Sequence, residues 1–153
     1  MTIGETLLPE FDDEMAKTRR LLERVPDDGF EWVPHPKSAN LGKLANHLAV
    51  IPMFATLMLH GFGKRPVEAK SRAQLLALFD TNVTSGRVAL MTMSDEHLLE
   101  TVSFGGVSMP RTSILRRRVF SHMIHHRGQM SVYLRLLGVA VPGIYGPSAD
   151  EGS

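Results

Sequence analysis

The chain has 153 residues, 43% of them hydrophobic, and its 17 Lys and Arg nearly balance 16 Asp and Glu for a formal net charge of +1. That length fits one domain with a sizeable core, and the charge balance creates no whole-molecule field favouring nucleic acid, so no direct nucleic-acid binding is expected. The absence of cysteine excludes disulfides, zinc–thiolate knuckles, iron–sulfur clusters and a protein thiol nucleophile, so a bound metal would be held by histidine or carboxylate.

The first turns carry Glu5, Glu10, Asp12, Asp13 and Glu14 where a secretory signal would need a basic segment followed by an apolar one. Apolar residues recur as Ile3, Leu7, Phe11, Met15, Leu22 and Val25, with Thr18 on the same stripe, a spacing of threes and fours that predicts a helix from Ile3 to Val25. Pro26, Gly29, Pro34 and Pro36 break the pattern in a loop that holds Trp32, whose bulk suits the end of a core. Ser38 or Asn40 can cap a second helix through Leu41, Leu44, His47, Leu48, Ile51, Ala55 and Leu59, kinked by Pro52. Its apolar run, interrupted by Pro52 and Thr56, is too short for a bilayer core of about 30 Å. A cytoplasmic protein with no membrane partner is the expectation.

Gly61, Gly63 and Pro66 end that helix, and Ser71 starts a third running to about Met93, with Gly86 weakening its middle. Thr101 to Phe104 and Val107 to Met109 flank Gly105-Gly106, the pattern of a two-residue hairpin. The last helix is predicted from Thr112 to Leu137, before Gly138 and a tail rich in Gly and Pro. The run Arg116-Arg117-Arg118 reads as a solvated helix face rather than a phosphate contact. The expected fold is all-α: a single four-helix-bundle domain over residues 1–153 with a small β-hairpin before the last helix. The connections before Ser38 and after Met93 are long enough to cross a bundle, so up-down-up-down order is not implied. A spare apolar helix face would suit a twofold homodimer.

The inward stripe of the last helix reads Leu115, Val119, His122, His126, Met130 (or Gln129), Tyr133 and Leu137. Side chains at i and i+4 stand about 5–6 Å apart at Cβ, close enough for two imidazoles to converge on one ion. His47, between Leu44 and Ile51, aims a third imidazole into the same interior. An isolated buried histidine is usually satisfied by a backbone carbonyl, but three would each need a partner, and one shared cation supplies all three. Metal identity stays open between zinc and nickel, with iron, cobalt and copper also accommodated, because imidazole suits several metals. A haem site ranks last, because no Cys-X-X-Cys-His attachment exists and three histidines exceed an axial pair. His125 is a ligand, supporting group or acid/base candidate, but falls toward the edge of the stripe. His35 and His97 fall in predicted loops, His60 on another face of its helix, and the nine methionines read as core filler.

The sequence resembles the DinB family, within the superfamily of DinB and YfiT-like metalloenzymes. The resemblance rests on Asn46-His47-Leu48, on the run Ser121-His122-Met123-Ile124-His125-His126-Arg127-Gly128-Gln129, and on the tail Tyr145-Gly146-Pro147-Ser148-Ala149-Asp150-Glu151. It implies a four-helix bundle whose first metal ligand falls on His47 and whose ligand pair falls on His122 and His126. Members of the superfamily include thiol S-transferases and mycothiol-dependent isomerases, which implies a low-molecular-weight thiol as cosubstrate. The leading expectation is a metal-dependent hydrolase or thiol transferase acting on a small molecule; the rival is a non-catalytic metal- or ligand-binding bundle of stress response. His125, Tyr145, Asp150 and Glu151 are candidate proton carriers, for each of which a surface or tail-packing role is the plainer reading.

Overall fold

A computed structural model of the chain describes residues 1–61, 64 and 66–151. Four rods dominate it. The first is α1 (Ile3–Leu22), opened by a capping box in which Thr2 and Glu5 exchange side-chain and backbone bonds. The second is split at Pro52 into α2 (Leu41–Val50) and α3 (Met53–His60), with a 46° bend between them. The third is α4 (Arg72–Thr92), capped by Ser71. After the five-residue α5 (Asp95–Leu99) and the hairpin of β1 (Thr101–Phe104) and β2 (Val107–Pro110), the last rod comprises α6 (Arg111–Leu115), a π-helical turn (Arg116–Ser121) and α7 (His122–Leu136). This is the expected all-α bundle with its hairpin.

The hairpin pairs Thr101 with Pro110 and Phe104 with Val107, leaving Gly105 and Gly106 to turn the chain at φ 59° and 80°. Both angles lie where L side chains are strained, which is why the turn needs two glycines. Helix α4 runs unbroken through Gly86, where a Cβ would stand 2.6 Å from the Pro52 carbonyl oxygen. The glycine lets α4 approach the break in the second rod. Helix α5 was not expected, and it carries His97 out of the predicted loop: Ser94 caps it, and His97 Nε2 lies 3.0 Å from the Met58 carbonyl oxygen. Five residues are too few for a periodic signal.

Cross-rod contacts give the order of the bundle. Arg19 bonds Asp80 and Arg87 bonds Asp12, so α1 and α4 are antiparallel; Glu10 meets Arg116 and Glu14 meets Arg127, so α1 and α7 run together. Tyr133 donates to the Ala39 carbonyl, placing the end of α7 by the start of α2, while Asn82 donates to Ala49 and Gly86 sits over Pro52, so α4 runs parallel to the second rod. The order is up-down-down-up. Two parallel neighbours need a return along the bundle, and the segment between α3 and α4 makes it, not the two connections singled out by length. Gly63, read as helping to end the second helix, lies outside the described residues; Gly61 ends α3.

The core lies inside all four rods, with Phe11, Leu48, Leu75, Phe79, Ile114 and Leu134 at most 1% exposed. Trp32 packs edge-on against Tyr133 at 5.6 Å and covers one end of it. No single helix among the described residues is long and apolar enough to cross a membrane.

Candidate metal centre

α2 and α7 are antiparallel neighbours, and their facing edges carry the three histidines. The Nε2 atoms of His47 and His122 are 2.6 Å apart, and one ring nitrogen from each of His47, His122 and His126 falls within a set spanning no more than 4.8 Å. Ring centroids lie 4.9 Å apart for His47 and His122, 4.5 Å for His47 and His126, and 4.4 Å for His122 and His126. The structure thus brings together the three residues singled out from spacing. His125 is exposed, stacks edge-on to His126 at 4.7 Å and stands outside the convergent set.

The histidines do not occupy the core stripe, as the spacing suggested. They are half-buried, and the buried line of α7 is Met123, Arg127, Met130 and Leu134. Leu115 and Val119 are both buried, as the spacing predicts, but at the end of the π-helical turn the buried line takes a step of four to Met123 rather than a step of three to His122. The imidazoles accordingly lie at the boundary between core and solvent.

Each imidazole is prepared differently. His126 Nδ1 lies 2.6 Å from Gln129 Oε1, one turn on, so it carries the proton and donates, leaving the Nε2 lone pair for the centre. Burial, followed by the neighbouring His126 and His47 and then Arg118, pushes the His122 imidazole down to about 4. It is therefore neutral at physiological pH, the form that binds metals. His47 is one turn before Ile51 on α2, and the preceding Asn46 is buried: its Nδ2 donates to the Gly42 and Ala69 carbonyls and its Oδ1 accepts from the Ala69 amide at 2.7 Å. Asn46 is thus a clasp that fastens the returning segment to α2. That segment forms one wall of a cleft of about 240 Å³ lined by Lys43, His47, Val50, Pro66, Val67 and Leu78.

Three imidazole nitrogens converging at half-burial, one ring with its second nitrogen already bonded, fit a divalent ion in chemistry and in number. No fourth His, Asp or Glu joins them among the described residues. The site can therefore hold an ion and leave it a position for an outside ligand.

The other proton-carrier candidates belong to the tail. Asp150 accepts from the Val141 amide and pairs with Arg135, which together hold its carboxyl below the usual range, and Glu151 accepts from the Gly143 amide. Tyr145 enters a network that spacing did not reveal. Arg127, 2% exposed, donates to Glu14 Oε2 at 2.5 Å, to the Glu14 carbonyl at 3.0 Å, to Thr18 Oγ1 at 3.3 Å and to the Tyr145 hydroxyl, while Tyr145 donates to Glu14. The signal was present: Glu14 lies on the stripe of Leu7, Phe11 and Thr18, and Arg127 on that of Met123 and Met130. Arg116 pairs with Glu10 and Arg118 covers the Phe104 ring at 4.9 Å, as exposed helix-face arginines do.

Comparison with known proteins agrees with this architecture. A solved DinB-like protein from Bacillus cereus superposes with a TM-score of 0.81 at 28% identity, covering 94% of this chain and 98% of its own. The DinB-like protein YjoA of Bacillus subtilis superposes with a TM-score of 0.75 at 21% identity over 91% of this chain and 96% of that one, a likeness of fold. The uncharacterized protein YrdA of Bacillus subtilis is 32% identical over 149 residues, 94% of this chain and 89% of the relative. The sequence pattern of the DinB family matches residues 1–153 from end to end, and the chain belongs to that family.

Proposed function

We propose that this protein binds one divalent metal ion through His47, His122 and His126 and uses it in catalysis on a small molecule, as a hydrolase or a thiol S-transferase. The observation that carries the reading is the convergence of three imidazole nitrogens within 4.8 Å, with no fourth ligand among the described residues to close the set. A three-ligand set is the arrangement of catalytic zinc centres, while structural ones are closed by four. Zinc or nickel suits the donors best. A bound ion would supply Lewis-acid activation of water or of a low-molecular-weight thiol.

The protein's own residues do the rest. Gln129 holds His126 in one tautomer and one orientation, so that ring does not have to reorganise when it is used. The cleft beside His47 offers apolar walls from Val50, Val67 and Leu78, with an ammonium from Lys43 and a carboxylate from Glu68, room for a small substrate. Half-burial keeps bulk water from surrounding the imidazoles without sealing them off.

The test is elemental analysis of untagged protein never exposed to a nickel column, comparing wild type with His47→Ala and His122→Ala. About one equivalent of metal in wild type, lost in both variants, is the expected result. It would justify screening the loaded protein for thiol transfer and hydrolysis. Metal below stoichiometry and indifferent to both substitutions would overturn the reading in favour of a non-catalytic ligand-binding bundle.

A further inference from the structure

We propose that the buried network of Glu14, Arg127 and Tyr145 is a positioning device: it sets the rotation of α7 and so aims His122 and His126 at His47, making the C-terminal segment a determinant of metal affinity. The proposal rests on the metal-site reading above.

Arg127 directly follows His126, so the two side chains leave α7 about 100° apart and the orientation of one fixes that of the other. Its neighbours on the buried line, Met123 and Met130, make apolar contacts, which are non-directional and tolerate rotation or sliding of a helix. The guanidinium is different. Its fork reaches the carboxylate and carbonyl of Glu14, the Thr18 hydroxyl and the Tyr145 hydroxyl, and these bonds can all form at only one rotation of α7.

The need for such an anchor arises just upstream. The π-helical turn Arg116–Ser121 ends where His122 begins, and its i→i+5 bonds interrupt the regular α-helical register of the rod. Regular continuation from α6 therefore does not dictate which way His122 points. An anchor downstream does, and Arg127 is the first residue of α7 outside the histidine cluster whose side chain makes directional bonds to another rod.

The third strut comes from the tail. Tyr145 donates to both carboxylate oxygens of Glu14 at 2.8 and 2.9 Å, with the Lys17 ammonium over its ring at 4.5 Å. Its position is held in turn by Asp150 on the Val141 amide, Glu151 on the Gly143 amide, and Arg20 on the Gly143 carbonyl. The tail run from Tyr145 to Glu151, which contributes no group to the histidine cluster, thereby acquires a role. Stability alone is a poor account of the network, because replacing a buried ion pair by apolar residues is often neutral or stabilising. What directional bonds add is a unique orientation.

The experiment measures zinc affinity by competition with a chelating dye, and ligand geometry by the visible absorption of the cobalt(II)-loaded protein, with thermal unfolding of the metal-free chain alongside. The variants are Tyr145→Phe, which removes one hydroxyl; Arg127→Lys, which keeps the charge without the fork; and the apolar double replacement Glu14→Leu with Arg127→Met. The double variant is expected to unfold near the wild-type temperature yet bind zinc about tenfold or more weakly with altered cobalt bands, as losses in supporting groups do. Arg127→Lys should fall between it and wild type, and Tyr145→Phe should show the least loss. A folded double variant with wild-type zinc affinity and cobalt spectrum overturns the proposal. Should the double variant not fold, unchanged affinity in both single variants overturns it equally. Wild-type protein that takes up neither ion overturns the metal centre itself, and this proposal with it.

Discussion

His126 and Arg127 are consecutive, yet the clusters they join on either side of α7 are built on opposite terms. Arg127 is buried beside a carboxylate, a hydroxyl and a tyrosine, and the opposite charges satisfy one another. His126 is half-buried beside two more imidazoles, like groups whose neighbourhood, after burial itself, lowers the proton affinity of His122, and no Asp or Glu joins the convergent set among the described residues. A cluster that satisfies itself needs nothing from outside and serves the fold. One that gathers three imidazoles at the edge of solvent, with no carboxylate in the set among the described residues, could hold a cation, and the contrast separates scaffold from candidate centre without appeal to either sequence motif.

The sharpest way to break that contrast is to truncate each cluster once. Arg127→Ala leaves the Glu14 carboxylate buried without its partner, and the expected loss is about 3–5 kcal/mol, read from urea unfolding of the metal-free chain. His126→Ala, made at the solvent edge in the same metal-free chain, should cost no more than about 1 kcal/mol. Comparable losses in the two variants would erase the distinction. A smaller effect separates support from ligation: Gln129→Leu leaves all three imidazoles but frees His126 Nδ1, and zinc affinity should fall about 10–100-fold with stability nearly unchanged. Undiminished affinity by dye competition would show that the Gln129 contact does not orient the ring.

Much of this was legible in the residues, and the exceptions share a cause. Periodicity located α1, the rod broken at Pro52, α4 and the last helix, because each buries one stripe and exposes the rest. The histidines stood out as polar side chains repeated on apolar stripes. The same logic points to Glu14 and Arg127, but one acid and one base separated by 113 residues do not reveal that they meet. The π-helical turn has no side-chain signature, so the phase of α7 had to be seen, and with it the shift of His122 from the core to its rim. The return between α3 and α4 was hidden for a related reason: which rods run parallel is settled by contacts such as Asn82 with Ala49, which no local pattern encodes.

The gentlest probe of the contrast is pH. His122 titrates near 4 in the folded chain, against about 6.5 for an unhindered imidazole, first because burial disfavours its charged form and then because His126 and His47 oppose a second positive charge. Between those two values the unfolded chain binds the proton that the folded chain refuses. Acid therefore favours unfolding: the contribution is fully present above about pH 6.5 and is lost as pH falls toward 4. Water reaches much of the site, so screening keeps the effect modest. Thermal unfolding of chelator-stripped protein from about pH 7 to about pH 4 should fall less steeply for His122→Asn than for wild type. Parallel profiles for wild type and His122→Asn would mean that neither burial nor the neighbouring imidazoles hold the His122 proton affinity down, and the case for a shared cation would lose its electrostatic half.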